Sequence, residues 1–215
     1  ARFETTFNGL DLADPSTGLV VTTDVLVLDQ QVHRLDRLSA RLGGDITLAS
    51  PVERLTLTHN GIAAVLDVQP ASRFALDRLD ADLDDLFVSS NTGWSSAIGT
   101  ASMTVARADD TAATYALNAG ANGIVPTQTW RARLDPASLL PDAIDTVFTE
   151  ATLVFDAPWD LDAIENARPQ LTQLDITEVS AAWGDMLFRT SGTLEVGPSG
   201  FPEGELAVRA ENWAA

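Results

Sequence analysis

Between Leu174 and Trp213 the chain alternates apolar and polar residues in short runs (LDITEVSAAWGDMLFRTSGTLEVGPSGFPEGELAVRAENW), cut at Trp183-Gly184, Gly192, Gly197-Pro198, Ser199-Gly200 and Gly204. A period of two places successive side chains on opposite faces of a strand, and turn residues every eight to twelve positions separate consecutive antiparallel strands. The same grammar runs through most of the chain. Phe3 to Leu12 opens it as a strand, and Asp14-Pro15-Ser16-Thr17-Gly18 supplies a turn, since Pro pre-sets φ and Gly accepts a positive one. Leu19 to Leu28 is β-branched and strand-forming.

Gln30 to Leu42 fits two patterns. Val32, Leu35, Leu38 and Leu42 would share one helical face; alternatively Leu38, Ala40 and Leu42 alternate with Arg37, Ser39 and Arg41 as in a strand. The strand is favoured by its neighbours, with Gly43-Gly44 as a following turn. Leu55 to Thr58, His59-Asn60-Gly61 and Ile62 to Val68 carry the strongest hairpin signal, because Asn-Gly favours a type I′ turn. Phe74 to Val88, Ala97 to Ala106, Tyr115 to Ala121 and Thr146 to Phe155 are further strands, with Asn91-Thr92-Gly93 separating the first two. One helix is expected from an Asp135 cap with Pro136 at its first position, through Ala137 to Leu140. A second is expected from Asp160 to Ala167, ended by Pro169. The pattern predicts one β-rich domain over residues 1–215: an extended, twisted or curled antiparallel meander with one or two short helices.

Charge narrows the partners. Thirteen basic residues, all Arg, face thirty-one acidic ones, twenty-two of them Asp, for a net charge of -18. Such a surface repels phosphate backbones and anionic lipid headgroups, so nucleic acid is excluded as a partner and unaided membrane docking is disfavoured. The 215 residues suffice for a core without staples. The absence of cysteine removes disulfides, thiol nucleophiles and thiolate metal sites. No apolar run is long enough to span a bilayer as a helix.

Candidate chemistry is sparse. Asp77, Asp80, Asp82, Asp84 and Asp85 contain an Asp-x-Asp-x-Asp core, but a calcium loop counted from Asp80 would need Gly at Asp85 and a bidentate acid at Asn91. A solvated strand face is the better account. His33 and His59 are the only imidazoles, and no nucleophile elbow or phosphate loop occurs; Gly120-Ala121-Asn122-Gly123 has the wrong spacing. Asp156 and Asp160 flank Pro158-Trp159, as in a sugar-stacking acid/base site. Asp160 as a helix cap and Trp159 as a packing residue account for them more simply. Trp94, Trp130, Trp183 and Trp213 lie in or beside strands, where packing is their ordinary role. No catalytic, cofactor-binding or metal-binding residue is assigned, and no enzyme activity is expected.

Several phrases occur in order along the chain: Arg2-Phe3 with Thr5-Thr6, Leu10 to Gly18 (LDLADPSTG), Ala75 to Arg78 (ALDR) and Ala132 to Pro141 (ARLDPASLLP). They continue with Phe155-Asp156, Pro158-Trp159-Asp160, Arg168-Pro169-Gln170, Trp183-Gly184, Arg209-Ala210 and Asn212-Trp213. With these the chain resembles the alphaproteobacterial domain-of-unknown-function family twenty-one twenty-five, and more distantly the AsmA-like envelope proteins. The stretch from Gln31 to Gly44 departs from that family's usual wording. The resemblance implies a periplasmic, β-rich envelope protein held at the inner membrane by an N-terminal anchor absent here, and continuing beyond Trp213. It implies no catalytic residue. It points to an apolar-faced sheet that binds or guides acyl chains of phospholipid or another envelope lipid, and about twelve strands would make a groove about 60 Å long. The alternative is a structural subunit that docks on an inner-membrane or envelope protein complex through a sheet edge or its acidic face.

Overall fold

The computed structural model describes residues 2–15, 17–108, 111, 113–197 and 200–212. Twelve strands form one antiparallel sheet: β1 (Arg2–Asp14), β2 (Leu19–Gln31), β3 (Arg37–Ala49), β4 (Arg54–Thr58), β5 (Gly61–Gln69), β6 (Ala75–Ser90), β7 (Ser95–Arg107), β8 (Thr114–Val125), β9 (Ile144–Phe155), β10 (Leu171–Trp183), β11 (Met186–Val196) and β12 (Pro202–Glu211). Two short helices interrupt them, α1 (Gln128–Leu134) before β9 and α2 (Leu161–Glu165) before β10. Apart from β4 and β5, each strand lies beside its neighbour in sequence, and β1 and β12 are the two edges among the described residues, so the sheet is an open meander and not a closed barrel. The fold class follows the alternation in the sequence.

One local expectation fails instructively. β4 and β5 do not form a hairpin: β4 pairs with β3 and β6, and β5 pairs with the same two strands further along. The segment Arg54 to Gln69 is therefore one extended strand position with a kink at His59-Asn60. A type I′ turn needs positive φ at both central residues, and neither Asn60 nor Gly61 has it. The reversal is made instead at Ser50 to Glu53, where the Ser50 amide donates to the Glu53 carbonyl at 2.8 Å. The sheet consequently has eleven side-by-side positions, about 48 Å across at the usual strand spacing, shorter than expected.

The kink belongs to a line of irregularities that crosses the sheet. Gly9 (φ +64), Gly44 (φ +78), Asp85 (φ +51) and Gly123 (φ +63) are left-handed residues on β1, β3, β6 and β8. They lie beside Asp24, Asn60 and Gly99 at the same level of the register. Gly43-Gly44, expected as a turn, lies inside β3, and the β2–β3 register slips between Thr23 and Val25. A Cβ on Gly44 would come within 2.6 Å of the Asp24 Cβ, so only glycine permits this bulge. Asn60 completes the line: its amide donates to the Asp84 carbonyl (3.0 Å) and its Nδ2 to the Asp85 carboxylate (3.1 Å).

Four other positions differ from expectation. Val32 to Asp36 is a turn, not a continuation of the strand. The helix expected at Asp135-Pro136 is absent: the helix lies earlier, capped by the Thr127 side chain, which accepts from Trp130 N. Asp135 closes it, and its buried carboxylate accepts from the amides of Leu139 (3.0 Å) and Leu140 (2.9 Å), wrapping the chain into a loop. Gly192 and Gly204, expected as turns, lie within β11 and β12. The second helix is as expected, with Asp160 accepting from Asp162 N (2.8 Å) and Ala163 N (3.3 Å).

Candidate functional site

Cross-strand partners share a face, so the register sorts every strand residue into one of two surfaces. One row runs Phe7, Leu26, Leu42, Ile62, Leu83, Ala101, Ala121, Val147, Ala181, Phe188, Ala210, apolar at all eleven positions. The adjacent row includes Leu28, Ala40, Ala64, Ala81, Met103 and Ala119. The next brings Leu38, Leu66, Leu79, Val105, Leu117 and Ala151 into line. The opposite surface carries Arg41, Asp82, Ser102 and Arg189, and beyond them Arg37, Asp67 and Arg78.

Little covers the apolar surface. Among the described residues only seven hydrophobic ones are buried: Ile46, Ala75, Leu86, Tyr115, Ala151, Ala163 and Trp183. The chain exposes 13337 Å², against about 9,600 Å² for a compact protein of this mass. The excess is what a single-layer sheet leaves bare.

Two concavities follow the apolar face. One of about 360 Å³ is floored by Ala81, Ala101, Ala119 and Ala121, with Ile62, Leu83, Met103 and Val147 around them. The other, about 530 Å³, lies between Leu38, Leu66, Val68 and Leu76 of the sheet and Trp159, Leu161 and Ile164 of the α2 segment. Side-chain size explains the first: a run of alanines between taller residues leaves a trough. The second exists because residues 156–170 fold back over the sheet. The Leu76 amide donates to the Trp159 carbonyl (2.7 Å), and the Trp159 amide donates to the Tyr115 hydroxyl oxygen (3.1 Å). Tyr115 is fully buried, burial pushes its phenol pKa up, and its ring meets Phe155 edge-on, as Phe155 meets Trp159.

The charged face has a larger hollow, about 770 Å³, beside the line of irregularities and bordered by Arg41, Asp82, Asp84, Asn122 and Phe148. Elsewhere on that face, paired groups replace free ones. Arg37 holds Asp67 through two bonds of 2.6 Å and keeps its carboxyl below the ordinary range. Arg78 and Thr104 do the same to Asp80.

The acidic run is thus largely structural. Asp77 accepts from Gln69 (2.9 Å) and Arg107 (3.1 Å), Asp85 from Asn60, and Asp82 and Asp84 are exposed. Among the described residues no three metal-ligating side chains converge. His33 is exposed in a turn, and His59 sits at the kink with both ring nitrogens buried and without a hydrogen-bond partner among those residues. Asp156 accepts from the Gln170 amide (2.8 Å), so it and Asp160 both hold backbone. Gly120 and Gly123 lie within β8. Trp94 and Trp183 donate to Glu53 and to the Pro141 carbonyl; Trp130 is exposed on α1, away from the strand environment expected of it. Trp213 lies outside the described residues. Sequence reasoning missed the trough itself, whose signal was the repeated alanines at matching strand depth.

A family model covers residues 1–215 in full, that of an uncharacterized protein conserved in bacteria, DUF2125. The chain belongs to the DUF2125 family. No curated protein and no solved structure matches it. For this DUF2125 member the two-faced sheet is therefore the main guide to function. No helix among its described residues is long and apolar enough to cross a membrane.

Proposed function

We propose that this DUF2125 protein is a non-enzymatic envelope protein of the periplasmic side of the inner membrane, whose apolar face binds or guides the acyl chains of a phospholipid or similar lipid. The observation that carries the reading is the apolar face in register across eleven strand positions, over which, among the described residues, the α2 segment covers only one part. A largely uncovered apolar surface of this extent marks a place where something apolar docks. The trough favours a thin, flexible chain. Its floor is alanine, and it adjoins a second hollow beneath α2, so an acyl tail can follow the floor, whereas a helix about 10 Å across would bridge it. The charged face, with its net excess of carboxylates, stays in water and keeps the protein off anionic headgroups. Binding by contact alone also agrees with carboxylates engaged in holding backbone and arginine.

The test is detergent-free purification from cells, organic extraction and mass spectrometry of the extract, with Ala101→Glu and Met103→Glu alongside. Recovery of lipid near one molecule or more per chain, lost in both variants while their circular dichroism is unchanged, is the expected result. Folded protein that yields no lipid overturns it. A stoichiometric partner protein recovered in place of lipid would support the docking-subunit reading.

A further inference from the structure

The hollow on the charged face differs from the rest of that face. Its floor is low because Ala63, Ser102 and Gly120 stand in register on β5, β7 and β8, with Asp82 of β6 between the first two. Phe148 of β9 closes one end of this row, three strand positions from Asp82 and about 14 Å away at the usual spacing. Arg41 of β3 closes the other end. The next row on the same face adds Asp84, Thr100, Asn122 and Thr146, beside the left-handed Asp85 and Gly123.

Two features of the hollow point to a ligand. Asp67 and Asp80, on the same face, are each held by an arginine. Asp82 and Asp84 lie about 7 Å apart along one strand face with like charge, and neither carboxylate has a hydrogen-bond or ion-pair partner among the described residues. Arg41 is engaged there only by a loose 3.8 Å contact with Glu4. Phe148 is the second feature: its ring is 39% exposed among side chains that are otherwise polar or small in these two rows, and Gly120 beside it has nothing to cover it.

We propose that this hollow binds a saccharide. Asn122 Nδ2 donates to Thr100 Oγ1 (3.0 Å), which leaves the Asn122 Oδ1 and the Thr100 proton free for a ligand. With the Asp82 and Asp84 carboxylates as acceptors and Ser102 and Arg41 as donors, the hollow offers the mixed set that a run of hydroxyl groups satisfies in both directions. Phe148 supplies the flat apolar surface on which the C–H side of a sugar ring rests. Other ligands fit worse. The two carboxylates repel phosphates. A bare metal ion lacks a cage, since no three metal-ligating side chains converge among the described residues. A peptide strand has no edge to join, because β5 to β9 are interior strands with their backbone engaged in the ladder. A polyamine would match the carboxylates but would meet Arg41 and leave the hydroxyls unmatched. The hollow lies on the opposite face from the acyl trough, so the inference does not depend on the lipid reading.

Isothermal titration calorimetry with cellotetraose, maltotetraose and chitotetraose tests the proposal, with spermidine as the competing class of ligand. At least one of the three saccharides should bind with a Kd of about 1 mM or tighter. Phe148→Ala and Asp82→Ala should each weaken that binding about tenfold with circular dichroism unchanged. Glu150→Ala, on the same face but outside the hollow, should leave it as it was. Phe148→Trp should keep the affinity and add a fluorescence change on saccharide binding that the parent chain does not show, a signal that a purely structural ring would not give. Folded protein that binds none of the three saccharides overturns the proposal. So does saccharide binding untouched by both Phe148→Ala and Asp82→Ala, or binding of spermidine alone that weakens with salt, which would make the hollow a polycation site.

Discussion

Gly192 of β11 and Gly204 of β12 hold their two strands closer than any side chain would allow. A Cβ on Gly192 would overlap the Glu205 carbonyl oxygen, and one on Gly204 the Thr193 carbonyl oxygen, at φ values of +151 and +158. Both glycines interrupt what are otherwise continuous apolar–polar strands, so their role is close backbone approach and not chain reversal.

Gly192→Ala and Gly204→Ala should therefore each cost about 1–3 kcal/mol, by forcing strain or parting the strands. Amide hydrogen exchange should rise first in β11 and β12, while β6 to β8 keep their protection. A matching Gly197→Ala, with nothing within 4 Å of the new Cβ, is the control that should leave exchange unchanged.

Tyr115 is the anchor of the α2 segment, since its hydroxyl oxygen accepts from the Trp159 amide at the apolar face. Tyr115→Phe keeps the ring contacts with Phe155 but leaves that amide without this acceptor. A loss of about 1–3 kcal/mol is expected, the cost of an unsatisfied polar group. Proteolysis at residues 156–170 should accelerate more than unfolding of the sheet does. Equal acceleration of both would show that Tyr115 acts only through general packing.

Asp85 adopts φ +51 within β6, an unfavourable region for a residue with a Cβ, and its carboxylate receives Asn60 Nδ2. Asp85→Gly should relieve the first effect while losing the second, and leave stability within about 1 kcal/mol. Asp85→Val loses the bond and worsens the strain, so a cost of about 2–3 kcal/mol is expected. Urea denaturation monitored by circular dichroism distinguishes the two.

These sites show where local sequence signals reach their limit. Alternation located the strands because burial of one face imposes a period of two on each strand separately. Asn60-Gly61 misled because turn propensity is a local preference, and pairing of Arg54 to Gln69 with both β3 and β6 outweighs it. Asp135-Pro136 misled for a different reason: a carboxylate that can cap a helix can equally gather the amides of Leu139 and Leu140 into a loop. The apolar face was legible strand by strand, but the alanine trough was not. It depends on Ala101 and Ala121 falling at one depth and Ala81 and Ala119 at the next on the same face, which is a property of register.

Glu53 links two turns at one end of the sheet, with one carboxylate oxygen accepting from Ser90 Oγ (2.5 Å), Thr92 Oγ1 (2.9 Å) and Trp94 Nε1 (2.7 Å). These bonds, the Ser90 one foremost, favour its charged form and lower its pKa. Asp67 and Asp80 are lowered in the same way by Arg37 and Arg78. A carboxyl depressed in the folded state contributes its full stabilisation above its unfolded pKa, about 3.9 for Asp and 4.3 for Glu. That contribution fades as pH falls through the folded value. Acidification has an opposing effect, because protonating other carboxylates relieves the self-repulsion of a chain with net charge -18. Repulsion is spread over an open sheet and screened by salt, whereas the hydrogen bonds at Glu53 are local. Thermal stability should therefore be broadly flat or slightly rising from pH 7 to about 5 and fall below about 4. Glu53→Gln should lower the melting temperature at pH 7 and make the acid limb shallower, with Trp94 fluorescence altered at both pH values. An acid limb unchanged by Glu53→Gln would assign the pH dependence to Asp67 and Asp80, which Asp67→Asn and Asp80→Asn would then have to reproduce.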